Sequence, residues 1–169
     1  MRDVEITLGE NLSAALTFAK ERALDLTPAM AAIALHLSET TRERFELEVD
    51  PLGVPWKPSR RVLENPGEKT LNLSGDLKAS IEPDWGSDYA AAGPTTSGGA
   101  GVYAGVHQFG ATIRPVAKKA LSFAGRVVAS VTIPARPYLG FNDENRDHSL
   151  DVISDHLFAA FTAGGAVPA

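Results

Sequence analysis

The span Asp50-Pro51-Leu52-Gly53-Val54-Pro55-Trp56-Lys57-Pro58 carries three prolines within nine residues. Each proline lacks an amide proton and pushes the residue before it towards extended geometry, so no helix runs through this stretch. It divides the chain into two parts of different periodicity. Before it, residues 10–48 read as two helices. Leu8, Leu12, Ala15, Leu16 and Ala19 share one face of the first. A break falls near Asp25-Leu26, and Thr27-Pro28 restarts the chain, with Thr as cap and Pro at the first helical position. Met30, Ile33, Ala34, Leu37, Thr41 and Phe45 line one face of the second helix, opposite a polar face with a Glu39–Arg42 pair. Trp56, in the proline loop, is expected to pack onto the domain edge, with a partner contact as the alternative.

After the prolines the periods are short. Leu71 to Ile81 reads as a short helix start capped by Ser74, followed by an extended piece to Ala92. Gly93 to Gly101 has no apolar period and many small residues, and reads as a flexible loop. Tyr103 to Phe109 reads as a helical turn stopped by Gly110. Leu121-Ser122-Phe123, a Gly125-Arg126 turn, and Val127, Ala129, Val131 and Ile133 in alternation predict a hairpin ended by Pro134 and Pro137. A last helix is predicted from about Asp147, with Leu150, Ile153, Leu157, Phe158 and Phe161 as an apolar stripe. Gly164-Gly165 is expected to stop it, leaving a frayed tail over 164–169. The sum is a single α+β domain over residues 1–169: an N-terminal helical hairpin, a small central antiparallel sheet and a C-terminal amphipathic helix.

Motifs that would carry chemistry are hard to find. Gly99, Gly101 and Gly105 have the wrong spacing for a dinucleotide loop, and no strand pattern precedes them. Neither a Gly-Lys-Ser/Thr phosphate loop nor a Gly-x-Ser-x-Gly elbow is present. His148, Asp151 and Asp155 share a face of the last helix and form a conceivable metal site. A hydrated polar face explains them more simply, because one helix rarely completes a coordination shell. The 21 acids allow many carboxylate pairs without singling one out. The enzymatic alternative is a small hydrolase or metal-dependent enzyme using His107 or the His148/Asp151/Asp155 face.

A net charge of −5 argues against sequence-independent DNA binding. Lys57, Arg60 and Arg61 cluster, as do Arg114, Lys118 and Lys119, and both clusters read as solvated surface. There is no cysteine, so disulfides and Cys-ligated zinc are excluded. The acidic start, Met1-Arg2-Asp3-Val4-Glu5, does not read as a secretory signal, and no apolar run reaches membrane-spanning length. A soluble chain is expected.

Five elements occur in order: Arg42-Glu43-Arg44-Phe45; Pro51-Leu52-Gly53-Val54-Pro55-Trp56; Leu73-Ser74-Gly75-Asp76-Leu77 with Ser80-Ile81; Tyr103-Ala104 with His107-Gln108-Phe109-Gly110; and Ile133-Pro134-Ala135-Arg136-Pro137-Tyr138-Leu139-Gly140. Together they resemble the virion morphogenesis family, the tail-completion proteins of Mu-like phages. Tyr138 stands where that family usually has Phe. The resemblance covers roughly residues 40–155, and its last two elements are the most specific.

The resemblance implies a structural virion protein, made in the host cytoplasm, at the tail end or neck. Such a protein completes the tail and helps join it to the filled head. It implies no cofactor, metal or catalysis. Other tail and neck proteins would be its partners, and it would be a homo-oligomer, with a hexameric ring as one form. Contact with nucleic acid would be incidental to a DNA channel. Trp56, His107, Gln108, Phe109, Arg136, Pro137 and Tyr138 are the interface candidates. For the 133–141 segment an internal role competes evenly, with Tyr138 and Leu139 in the core and Arg136 paired with an acid. On the interface reading, Arg136→Ala leaves the fold intact and impairs tail joining.

Overall fold

The structure, a computed structural model, describes residues 10–95, 100–115, 120–123 and 126–165. Helix α1 is Glu10–Leu24 and α2 is Thr27–Leu47. The break at Asp25-Leu26 falls where expected, but Thr27 does not cap α2. Its amide donates to the Asp25 carboxylate at 3.1 Å, so Asp25 supplies the acceptor. Pro28 sits in the first turn of α2, where its missing amide proton costs nothing.

Helix α2 organises the core. Ile33, Ala34, Thr41 and Phe45 are buried on its inner face, with Ala29, Ser38 and Arg44 beside them. Arg42 does not pair with Glu39; its guanidinium donates to the Ile81 carbonyl. Glu46, on the outer side, is hydrogen-bonded by Lys69 and Lys78, which hold its carboxyl down to about 2. At the end of α2, Glu48 turns left-handed with φ 57° and its amide returns to the Arg44 carbonyl.

The proline loop folds back tightly. Val49 bridges Pro55, and the Asp50 carboxylate accepts from the amides of Leu52 (2.8 Å) and Val54 (2.9 Å). That turn delivers Trp56 to the core rather than to its edge. Trp56 is 6% exposed and meets Phe45 edge-on at 5.5 Å between ring centroids. Phe45, Trp56, Leu77, Ile81, Ala104 and Tyr138 form the buried cluster, with Leu71 and Leu139 against it.

Two short helices, α3 (Arg60–Glu64) and α4 (Asp76–Ala79), follow. The cap position of α4 is Gly75, at φ 82°, a left-handed turn that suits glycine, while the Ser74 hydroxyl beside it accepts from the first-turn Asp76 amide at 3.4 Å and donates to the Asp76 carboxylate at 2.7 Å. The extended piece after it is a full hairpin: β1 (Ile81–Trp85) pairs antiparallel with β2 (Ala90–Pro94) and packs on α2. The expected loop over 93–101 is correspondingly shortened. Gly93-Pro94 ends β2, Ala100-Gly101 begins helix α5 (Ala100–Phe109), and residues 96–99 lie outside the described set.

The predicted strand through 127–133 is two strands. Strand β3 (Ala111–Ile113) pairs with β6 (Val131–Ile133), while β4 (Leu121–Phe123) pairs with β5 (Arg126–Val128). Arg126 begins a strand instead of forming the turn, and Val127 is 79% exposed, so the alternation does not face inward throughout. Pairing, not periodicity, decides here, because each strand is only three residues long. The described sheet structure is therefore three separate two-stranded antiparallel sheets within an α+β fold.

Helix α6 is Asp143–Gly165 and starts four residues earlier than predicted. Asn142 caps it: its side-chain oxygen accepts from the Asn145 amide at 2.9 Å, and the Asn145 oxygen accepts in return from the Asn142 amide at 3.4 Å. The helix includes Gly164 and Gly165, and residues 166–169 are outside the described set. Helix α1 takes α6 as its main neighbour. The predicted apolar stripes of this pair are only partly covered. Ala19 and Ala160 are buried, but Leu16, Leu150, Phe158 and Phe161 are exposed; Leu8 and the side chains of Leu12 and Ala15 lie outside the described set. No described helix is long and apolar enough to cross a membrane.

Candidate functional site

The last two sequence elements of the series, 103–110 and 133–141, form one latch. The end of α5 lies against an extended segment that has no regular sheet partner beyond Ile133. Such a segment must find hydrogen bonds elsewhere, and the motif residues supply them. The Arg136 amide donates to the His107 carbonyl at 2.7 Å. The Gln108 side-chain oxygen accepts from the amides of both Tyr138 and Leu139 at 3.0 Å, and its nitrogen donates to the Leu139 carbonyl at 2.9 Å. One amide side chain thus does what a neighbouring strand would do.

Gly110 closes the latch at φ 73°, and a β-carbon on it would lie 2.8 Å from the Ala135 nitrogen. Both the left-handed turn and the close approach require glycine. A methyl on Gly140 would collide with the Pro51 ring.

The proline loop grips the same segment from the other side. The Trp56 indole N–H donates to the Pro137 carbonyl at 2.8 Å, and Arg136 Nε donates to the Lys57 carbonyl at 2.8 Å. Tyr138 is 1% exposed, lies 5.2 Å from Phe45 between ring centroids, and donates its hydroxyl to the Ala104 carbonyl at 3.3 Å. Burial pushes its phenol above the ordinary value.

Arg44 completes the frame from α2. It is 6% exposed; Nη1 donates to the carbonyls of Tyr138 and Gly140, and Nη2 to the Asn145 side-chain oxygen, all at 3.0 Å. Burial disfavours its charge, while Glu144 and Asp50 favour it. No carboxylate lies within ion-pair distance of Arg44 among the described residues. Carbonyl and amide dipoles take the place of a counter-ion. The sequence did place a signal here: Arg44 follows Leu37 by seven and Thr41 by three, so a charged residue occupies the apolar face of α2.

The interface candidates therefore separate. Trp56, Arg136 and Tyr138 are buried within the chain, where they hold the latch together. Arg136 bonds a carbonyl and not the expected acid. Gln108 and Pro137 are half-buried and engaged in the latch. Phe109 is 80% exposed at the end of α5 and is the outward-facing member of the group.

His107 is half-buried, with Tyr103 edge-on at 6.0 Å. Its Nδ1 is buried with no hydrogen-bond partner among the described residues. Burial, then the nearby Arg136, lowers its basicity. His107 and Arg136 border a cleft of about 820 Å³ floored by Leu71, Leu77, Tyr103 and Val131.

The other chemical candidates are taken apart by the fold. His148 stacks on His36 at 3.8 Å, away from the exposed Asp151 and Asp155. Among the described residues no three His, Cys, Asp or Glu are placed to hold a metal ion. Arg60 and Arg61 are tied to Glu64 and Glu68, and Lys118 and Lys119 lie outside the described set.

The His36 ring sits at the edge of the Arg44 network. Arg44 and the Asn142 amide occupy the Asn145 oxygen, so the Asn145 nitrogen must face outward as a donor, 3.3 Å from His36 Nε2. The imidazole then accepts and is neutral. Burial, with His148 next and Arg44 last, lowers its basicity against the pull of Glu144 and Glu39. Because the folded value lies below the ordinary 6.5, this stabilisation is full above pH 6.5 and is lost as pH falls towards the folded value. His107 acts in the same direction. Tm is expected to decline from about pH 6.5 downwards, and His36→Gln, which does not titrate, should show a shallower decline. An unchanged slope in that variant would remove His36 from the account.

The chain matches the phage virion morphogenesis family over residues 8–158. It is 30% identical over 155 residues to capsid assembly protein G of Escherichia phage Mu, covering 85% of this chain and 84% of that protein. No solved structure matches it.

Proposed function

This chain belongs to the phage virion morphogenesis family, and from that premise we propose that its structural role in virion assembly is exercised at the joint between tail and head. It completes the tail and presents a fixed surface to the neck, without catalysis. The observation that carries this reading is the latch. The motif residues nearest to a possible active site, His107, Gln108 and Arg136, hold backbone in place, and an exposed Phe109 is displayed from the frame they make. The similar Mu protein is named for capsid assembly. A part that meets the capsid at the tail end accords with both that name and the tail-completion resemblance. Other tail and neck proteins are the partners in this reading, and the chain acts as several copies.

Electron microscopy of particles made without this gene tests the proposal. Full heads separate from unattached or abnormal tails are expected, and restored by the native chain but not by Phe109→Asp. Normal infectious particles without the gene would overturn it.

A further inference from the structure

A two-stranded hairpin has two outer edges, and each strand turns the backbone groups of every second residue away from its neighbour. In the β1–β2 pair this alternation is fixed at both ends. The Gly86 amide donates to the Tyr89 carbonyl at 3.0 Å, and the Thr95 amide to the Ser80 carbonyl at 2.8 Å. Between them Glu82 stands opposite Gly93 and Asp84 opposite Ala91, and these pairs also bond inward. Ile81, Pro83 and Trp85 therefore turn their backbone groups out of one edge, and Ala90, Ala92 and Pro94 out of the other.

The two edges are not alike. On β1 the Ile81 carbonyl is taken by the Arg42 guanidinium, and Pro83 has no amide proton to offer. On β2 the amides of Ala90 and Ala92, and the carbonyls of Ala90, Ala92 and Pro94, have no hydrogen-bond partner among the described residues. The strand reads Ala-Ala-Ala-Gly-Pro, without a charged side chain to turn a further strand away. The faces differ too. Ile81 is fully buried on the side that packs on α2. Glu82 and Asp84 stand on the opposite side and are exposed. Directly across from them β2 carries only Gly93 and Ala91, so nothing larger than a methyl stands there between the carboxylates and the open edge. These four residues line a groove of about 490 Å³. Neither carboxylate has an ion-pair partner among the described residues, and Asp84 accepts from the Tyr89 hydroxyl at 3.3 Å.

We propose that β2 takes a third strand from a different virion protein, an extended segment with Lys or Arg at alternate positions. Its backbone pairs with Ala90, Ala92 and Pro94. Its basic side chains lie across Ala91 and Gly93 and reach Asp84 and Glu82. Strands in a sheet lie about 4.8 Å apart, which sets the incoming strand about 10 Å from β1. A long basic side chain and a carboxylate side chain span that distance together. Backbone pairing supplies the affinity, and the two acids select the partner. That the segment belongs to a virion protein rests on the function proposed above; the strand site itself does not, and the purified chain reports on it apart from virion phenotype.

The probe is a peptide of about ten residues, a long strand's length, with Lys and Thr in alternation; a Glu and Thr peptide of the same length is the control. Amide hydrogen exchange of the full-length chain, read residue by residue by NMR, reports the edge. In the free chain Ala90 and Ala92 should exchange fast, and Ala91 and Gly93, which bond to β1, slowly. A saturating amount of the Lys peptide should slow Ala90 and Ala92 at least about tenfold, and the Glu peptide should leave them unchanged. Ala92→Pro removes an amide proton that the hairpin does not use, and should abolish the protection of Ala90. Glu82→Lys combined with Asp84→Lys, both at exposed positions, leaves the edge in place and should weaken binding of the Lys peptide about tenfold. Unchanged exchange at Ala90 and Ala92 with the Lys peptide overturns the proposal. So does equal protection by both peptides, and so does native-like binding by the charge-reversed chain. Slow exchange at Ala92 in the free chain that deepens with concentration would assign the edge to a second copy and overturn it as well. A chain that ignores the peptide yet is required for head–tail joining would defeat this site while leaving the virion role standing.

Discussion

Arg44→Ala is expected to cost about 3 kcal/mol or more, because two buried acceptors and a partly buried one lose a charged donor at once. For a chain of this size each kcal/mol is worth roughly 2–4 °C, so Tm should fall by about 6–12 °C. The loss is larger than a surface arginine could produce. The Tyr138 carbonyl and the Asn145 side-chain oxygen sit where water has little access, and alanine cannot reach them. Arg44→Lys should recover only part of the loss, since one ammonium cannot span the same fork. Calorimetry or thermal circular dichroism reads the effect. A drop of under about 1 kcal/mol would show that water or a shifted side chain replaces Arg44 with ease.

Trp56→Ala is the second large effect, at about 3–5 kcal/mol, the range for emptying a large aromatic site in a core. The indole fills the space beside Phe45 and satisfies the Pro137 carbonyl. Trp56→Phe keeps most of the volume but leaves that carbonyl unpaired, and should cost about 1–3 kcal/mol. The pair of variants separates framework from contact. If Trp56 served a partner from an exposed site, neither change would move Tm, and only assembly would suffer.

The sequence is most readable where a local rule acts alone. Pro28 marks the start of α2, Gly110 the stop of α5, and Pro134 the end of β6, because each depends on its own backbone geometry. The buried face of α2 follows from apolar spacing. What escapes a local reading is set by distant partners. Strand β6 leaves Val127 outside because Ala111–Ile113 pairs with residues 131–133 alone. Leu150, Phe158 and Phe161 keep helical spacing, yet spacing does not say whether a neighbour covers them, and α1 does not. The motif residues were legible as a group but not in their roles. Gln108 looks like a polar contact until its two backbone acceptances are seen, and Trp56 in a proline loop looks peripheral until the turn at Asp50 brings it inward.

The reach of Arg44 has a consequence for how the chain is born. Its three acceptors lie 94, 96 and 101 residues downstream. While a ribosome is still making the middle of the protein, α2 has nothing to receive that guanidinium, and the pocket between Phe45 and Trp56 still waits for Tyr138. Closing so long a segment costs entropy before any bond repays it, and contacts this far apart slow folding. The nascent chain must therefore hold off until about residue 145 has emerged, and then settle as one unit. A stalled chain ending at residue 130 should be as sensitive to protease as an unfolded one.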